Sequence, residues 1–189
     1  FGGSLKTFVS GGGALDKEVG YFLNAIGLPT LQGYGLTETS PVVSINRISD
    51  TFNGSIGLPV QSTLIKIIDD DGNPVERNQP GELCVKGPQV MSGYWKVQDE
   101  KNKYFTKDDF FKTGDIATMN DKGYIKIVDR KKDMIISSGY NVYPNELEDY
   151  LATHPDILEA GVIGVDDKNR GEYIKAFVVT KNKNLSSSD

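Results

Sequence analysis

The stretch from Leu5 to Gly35 changes its hydrophobic period twice, and this narrows the fold more than any other feature. "LKTFVS" is short and apolar, as a strand is. "GGG" at 11–13 breaks it as a turn. Leu15, Val19, Phe22, Leu23 and Ile26 then recur at helical spacing, with Asp16 and Glu18 near the start, where the helix dipole favours acids. Gly27 stops the helix, Pro29 follows, and "LQGYGLTETS" (31–40) closes a second strand. Strand, glycine turn, helix and strand together predict an α/β layer.

From about Asn53 the pattern changes. "STLIKIID" alternates Ile65 and Ile67 against Lys66, "DDGN" and "NQPGE" read as turns, and "ELCVKG" is a strand between strands. "FFKTGDIATM" and "YIKIVD" flank "NDKG", a hairpin signal. Residues 129–133, "DRKKD", are all charged. Beyond them lie a strand "MIIS", a helix from "YPNELEDYL" and two strands, "EAGVIGV" and "YIKAFVV". Pro144 suits the first helical turn, and Leu147, Tyr150 and Leu151 give that helix an apolar face. The expected fold class is therefore α/β (1–52) plus a β-rich subdomain (53–128), then a junction (129–133) and part of a small α+β domain (134–189). The only low-complexity stretch is the run of terminal serines.

Composition excludes several classes. The net charge of −5 carries no basic block, which argues against nucleic acid as a partner. One cysteine, Cys84, excludes an intramolecular disulfide and fits a reducing compartment. Alternation in "ELCVKG" puts Leu83 and Val85 on one face and makes Cys84 a small strand side chain. The single histidine, His154, precedes Pro155 at a helix end and reads as surface punctuation, a poor catalytic base. No apolar run approaches the ~20 residues that span a bilayer, and the opening residues lack a signal-peptide pattern. A start at Phe1 and an end in "NLSSSD" make the chain read as an excised piece of a longer protein.

Three motifs carry chemistry, each with a plain structural alternative. "SGGGA" either is a tight turn or cradles a nucleotide through backbone groups, and it matches neither of the standard glycine fingerprints. In "GYGLTE", Gly33 and Gly35 flank Tyr34, whose ring can stack on a base; the Thr37 hydroxyl can donate to phosphate, and Glu38 can hold Mg²⁺. The alternative is a glycine-flanked turn with a capped helix. Asp115 in "KTGD" is either an acidic turn residue or a carboxylate that accepts from two vicinal ribose hydroxyls. "DRKKD" is either a solvated charge run or a junction.

The order of these motifs decides among the alternatives. "SGGGA", "GYGLTETSP", "GELCVKGPQVMSGYW", "FKTGDIA" and "GYIKIVDRKKDMIISSGYNVYPNELE", in that succession, resemble the adenylate-forming superfamily, and within it bacterial long-chain fatty acyl-CoA ligases. The resemblance implies an enzyme that joins a fatty acid to ATP as acyl-adenylate, then transfers the acyl group to coenzyme A. Its alternatives are a ligase for another carboxylic acid, an adenylation domain feeding a carrier protein, and a non-catalytic nucleotide-binding regulator. It implies that Gly11, Gly12, Gly13, Gly33, Tyr34, Gly35, Thr37, Asp115, Ile127 and Arg130 surround the nucleotide. Tyr34 would stack on adenine, Asp115 would hold the ribose, and Ile127 would pack near the base. Thr37, Glu38 and Lys132 would act on the reacting phosphate, with Glu38 on Mg²⁺. Residues 1–128 would end the large adenylating domain, and Lys131 would be the pivot to the small mobile one. Ser138, Gly139 and Tyr140 would form a loop along the coenzyme A path. A phosphate loop upstream and a catalytic lysine downstream would lie outside the chain. The implied location is cytoplasmic, with room for peripheral contact at the inner face of the membrane.

Overall fold

The computed structural model describes residues 3–97 and 101–181; the terminal serines lie outside them. The chain divides into two compact units, Phe1–Ile127 and Val128–Asp189.

The first unit opens with β1 (Phe8–Ser10), α1 (Lys17–Ala25) and β2 (Thr30–Gly35). Asp16 caps α1, its carboxylate accepting from the Val19 N–H at 2.9 Å. Gly27, at φ 78°, ends it, and the Leu28 N–H returns to the Leu23 carbonyl at 2.9 Å. The helix forms where the spacing predicts, but its orientation differs. Val19, Phe22 and Ile26 are 47%, 62% and 53% exposed, while Gly20 is buried and Leu15 and Leu23 are half-buried. The inward stripe runs through Leu15, Gly20 and Leu23. Asn24 adds a polar anchor, its side-chain oxygen accepting from the Thr30 N–H at 3.2 Å.

β1 runs parallel to β2, and β2 pairs antiparallel with β3 (Val42–Ile45), which pairs with β4 (Leu58–Pro59). A second sheet has the order β5 (Leu64–Ile68), β6 (Gly81–Lys86), β7 (Phe111–Met119), β8 (Ile125–Arg130), with α2 (Lys101–Tyr104) before β7. Its turns follow local chemistry. The Asp69 carboxylate accepts from the Asn73 N–H at 2.8 Å, with Gly72 at φ 85°. The Asn120 side chain accepts from the Lys122 and Tyr124 N–H groups, each at 3.0 Å, with Gly123 at φ 87°. The core joins the two sheets: Val43 and Ile56 meet Ile67, Leu83, Val85, Ala117 and Ile125. Leu83 and Val85 share that face, as the alternation predicts, and Cys84 is equally buried on the opposite one.

The second unit holds β9 (Ile135–Ser137), β10 (Tyr140–Val142), α3 (Pro144–Ala152), β11 (Ile157–Asp167) and β12 (Gly171–Thr180), in the sheet order β10-β9-β12-β11. The expected loop "SSGYN" is a tight hairpin: Ser137 pairs with Tyr140, leaving Ser138 (φ 52°) and Gly139 (φ 82°) as a two-residue turn. Positive φ at both central residues is what a twist-matched hairpin of this length demands. Pro144 opens α3 as expected, and Leu147 and Leu151 face inward. Tyr150 does not join them; it is 76% exposed. The inward face of α3 turns toward Glu148, whose carboxylate accepts from the Val162 N–H of β11 at 2.8 Å, and Tyr150 lies two residues, about 200°, away from Glu148. His154 is exposed after the helix, its Nδ1 accepting from the Asp156 N–H at 3.2 Å.

Candidate functional site

Two β-bulges place the two side chains at the centre of the site. On β2, Tyr34 pairs with Ser44 and Gly35 with Val42, so Val43 is the extra residue. On β7, Ile116 pairs with Glu82 and Lys112 with Cys84, so residues 113–115 oppose Leu83 alone. Bulges of this kind bend a strand and re-aim its side chains. The second bulge is fixed internally: the Thr113 hydroxyl donates to the Leu83 carbonyl at 2.9 Å and accepts from the Asp115 N–H at 3.1 Å. Gly114 supplies the positive φ of 76°. As a result the Tyr34 hydroxyl donates to Oδ2 of Asp115, a residue 81 positions away. Tyr34 and Ile127 both pack on the edge of the hydrophobic core, so ring, carboxylate and aliphatic side chain belong to one packed region.

Next to Tyr34 the chain turns back on itself. Thr37–Thr39 form a single 3-10 turn, closed by Ser40 in the left-handed conformation at φ 52°. Thr39 is fully buried and ties the turn together: its hydroxyl accepts from the Leu36 N–H at 3.0 Å and reaches the Leu36 and Pro41 carbonyls. The Leu36 N–H also donates to the Pro41 carbonyl at 3.0 Å. The backbone closes so tightly that a Cβ on Gly35 would collide with the Pro41 carbonyl. Gly35 is thus required by the fold, whereas a Cβ at Gly33 would meet only ordinary contacts. The turn leaves Thr37 exposed and Glu38 half-buried.

Glu38 has a partner that the motif spacing gave no sign of. The Tyr94 hydroxyl donates to Glu38 Oε1 at 2.8 Å, and the Met91 N–H donates to the Glu38 carbonyl at 2.8 Å. Partial burial, then the adjacent Glu38 carboxylate, push the Tyr94 phenol up to about 12, so it stays a donor throughout the neutral range.

The glycine run is open. Gly12 needs its residue type, at φ 81°, but Cβ atoms at Gly12 and Gly13 would meet nothing within 4 Å, and one at Gly11 would sit 3.7 Å from the Gly33 carbonyl. In the second unit, Lys131 and Lys132 belong to a 3-10 turn, Lys131–Asp133, with Arg130 as its N-cap. Arg130 and Lys132 are exposed and Lys131 is half-buried. Ser138 and Gly139 form the hairpin turn described above, and Tyr140 is 76% exposed.

Known proteins are similar to this chain in sequence and in fold. The family model of AMP-binding enzymes matches residues 1–95, and that of the AMP-binding enzyme C-terminal domain matches residues 146–188. The long-chain-fatty-acid–CoA ligase of Escherichia coli O6:H1 is 49% identical over 185 residues, which are 97% of this chain and 33% of the relative. The long-chain-fatty-acid–CoA ligase of Yersinia pestis is 48% identical over 188 residues, 98% of this chain and 33% of the relative. The structure of O-succinylbenzoate coenzyme A synthetase from Bacillus subtilis, in complex with ATP and magnesium ion, superposes with a TM-score of 0.83 at 34% identity, over 96% of this chain and 38% of that one. The chain therefore spans about a third of the length of the curated relatives it matches. A family match over half the chain, in the segment that holds Tyr34 and Glu38, makes the conclusion plain: this chain belongs to the AMP-binding enzyme family.

Proposed function

We propose that the protein carrying this chain is an ATP-dependent acid–thiol ligase, which activates a long-chain fatty acid as acyl-adenylate and passes the acyl group to coenzyme A. The observation that carries the proposal is the hydrogen bond from Tyr34 to Asp115, with Glu38 one turn further along the chain. An aromatic face, an acceptor for vicinal hydroxyls and a carboxylate follow the order base, ribose and phosphate of a nucleotide. In this reading Tyr34 stacks on adenine beside Ile127, and Asp115 keeps acceptor capacity for the ribose after accepting the Tyr34 hydrogen bond. Gly11, Gly12 and Gly13 leave the backbone open to close approach, Gly33 and Gly35 let the strand pack and turn so that Tyr34 meets the base, and Arg130 reaches the ribose or phosphate. Thr37 donates to the α-phosphate, and Lys132 offers positive charge.

The donor set fits Mg²⁺ in one particular way. Among the described residues no group of three or more His, Cys, Asp or Glu gathers as a metal cage. Glu38 alone suits a cation that takes one or two carboxylates and completes its shell with phosphate oxygens and water. Such an ion would neutralise phosphate charge. What the chain's own residues do is orient and donate: attack of the substrate carboxylate on the α-phosphorus builds charge on oxygens that fixed donors stabilise, with no protein nucleophile required.

The mobile part of the reading is the junction. Lys131 is the proposed pivot about which the second unit turns between the two half-reactions, bringing Ser138, Gly139 and Tyr140 to the coenzyme A path. A ligase for another carboxylic acid is the second reading, favoured by the structural likeness to a synthetase named for O-succinylbenzoate. Among the described residues no helix is long and apolar enough to cross a membrane. The deciding experiment assays the full-length protein on a panel of acids, following pyrophosphate release with and without coenzyme A. Release with long-chain acids, and thioester only when the thiol is present, is expected. Release with aryl or short acids alone would select the second reading, and no release with any acid would overturn the ligase assignment.

A further inference from the structure

The carboxylate of Glu38 is gripped from a part of the chain to which no role has yet been given. Tyr94 reaches Oε1 across 56 positions of sequence. Its ring is braced in turn by Tyr104 of α2, edge to face, with centroids 4.9 Å apart and planes at 71°. The same segment holds the Glu38 main chain through the Met91 N–H. One residue is thus fixed at both its carbonyl and its side chain by the loop that follows β6.

Resting on the proposed role of Glu38, we propose that Tyr94 is a positioning residue for the cation-binding carboxylate: it occupies Oε1 and fixes the rotamer, so that Oε2 is the oxygen presented to a divalent cation. A half-buried glutamate otherwise samples several rotamers, and ordering it would be charged against metal binding. A phenol is well matched to the task. It donates one hydrogen bond yet brings no charge, so the carboxylate keeps its full attraction for a cation, which a lysine in the same place would cancel. Partners of this kind behind a ligating group orient it and strengthen the site.

The test uses the full-length protein as wild type, Tyr94→Phe, Glu38→Gln and the double variant. Phenylalanine keeps the ring that packs on Tyr104 and removes only the hydroxyl. Mn²⁺, a paramagnetic stand-in for Mg²⁺, is titrated into each protein with a non-hydrolysable ATP analogue, and bound metal is read by electron paramagnetic resonance. Tyr94→Phe should weaken Mn²⁺ binding about tenfold. The Mg²⁺ needed for half-maximal pyrophosphate release should rise in parallel, with most of the rate recovered at saturating Mg²⁺. In the Glu38→Gln background the Tyr94 change should add nothing. Unaltered Mn²⁺ affinity in Tyr94→Phe, including a variant that only melts earlier, overturns the inference while leaving Glu38 as the ligand. So does a loss that adds in full to that of Glu38→Gln. If Glu38→Gln itself binds Mn²⁺ as the wild type does, the assignment of Glu38 fails, and this inference with it.

Discussion

Asn145 donates twice to Asp129: its backbone N–H reaches Oδ2 and its side-chain Nδ2 reaches Oδ1, each at 3.0 Å. The same carboxylate accepts from the Arg130 N–H at 2.7 Å and is only 3% exposed. The residue at the N-cap of α3, Tyr143, makes no side-chain cap bond. Asp129 therefore caps α3 from outside the helix, satisfying the Asn145 N–H that the first turn leaves open. Asp129→Ala should cost the second unit about 1–2 kcal/mol, because the helix loses its cap and the part-buried Arg130 and Asn145 donors lose their acceptor. The measurement is the denaturant midpoint, expected to fall at an unchanged slope.

Two glycines should answer alanine in opposite ways. Gly35→Ala forces a Cβ into the Pro41 carbonyl, so a loss of about 3 kcal/mol or more is expected, seen as a lowered melting temperature. Gly13→Ala meets open space at an ordinary φ, so stability should hold within about 0.5 kcal/mol. If the glycine run serves close approach of a nucleotide, Gly13→Ala in the full-length protein should still weaken ATP binding. Unchanged binding, measured by calorimetry, would remove Gly13 from the site.

A surface pair on the second sheet gives an acid-dependent signature. Lys66 Nζ lies 2.6 and 2.9 Å from the two oxygens of Asp108, and the Thr106 hydroxyl donates to the same carboxylate at 2.7 Å. The Lys66 hydrogen bond, then that of Thr106, bring the Asp108 carboxyl from 3.8 down to about 2. A depressed acid stabilises the fold above its unfolded value and loses that contribution as pH falls through the folded one. The contribution should be complete above about pH 5, fall through the folded value, and be gone near pH 1. Wild type and Asp108→Asn should differ in denaturant midpoint at neutral pH and converge at the acid end. Asp108 is exposed, so added salt should shrink the difference.

The proposed pivot has a backbone test. Proline locks φ near −65° and removes an N–H, so Lys131→Pro in the full-length protein should hold one arrangement of the junction. Adenylate should then form from acid and ATP in a single turnover, while its consumption on adding coenzyme A slows strongly. Lys131→Ala removes the charge but leaves the backbone free, and both steps should survive. Lys132→Pro probes the next position of the same 3-10 turn. If that variant alone separates the two steps, the pivot lies one residue further on.

What the sequence revealed follows from how far each signal reaches. The turns at Asp69–Asn73 and Asn120–Gly123 were legible because a side chain bonds its own backbone within a few residues. The stop at Gly27 and the opening of α3 at Pro144 were legible because each residue type sets its own backbone angle there, glycine by accepting a positive φ and proline by fixing φ near the helical value. The facing of α1 was not: Val19, Phe22 and Ile26 form an apolar stripe, yet the covered flank is the one holding Leu15, Gly20 and Leu23, with the Leu15 side chain lying over Gly20. The bulges at Val43 and at 113–115 were hidden too, since a bulge is a mismatch with a partner strand and has no local mark. The motif of Tyr34 and that of Asp115 could each be quoted from the sequence. Their hydrogen bond, and that of Tyr94 to Glu38, exist only once distant strands have met.

Cys84 lies within a strand buried on both faces, at 0% exposure, and it is the chain's only thiol. Its place makes it a clock. A thiol-reactive dye cannot reach it until whatever covers that face of β6 moves away, locally or in global unfolding, so the labelling rate counts the openings that bare β6. Under conditions where reclosing outpaces reaction, that rate gives the free energy of the easiest opening that bares β6, without any label having to be engineered in.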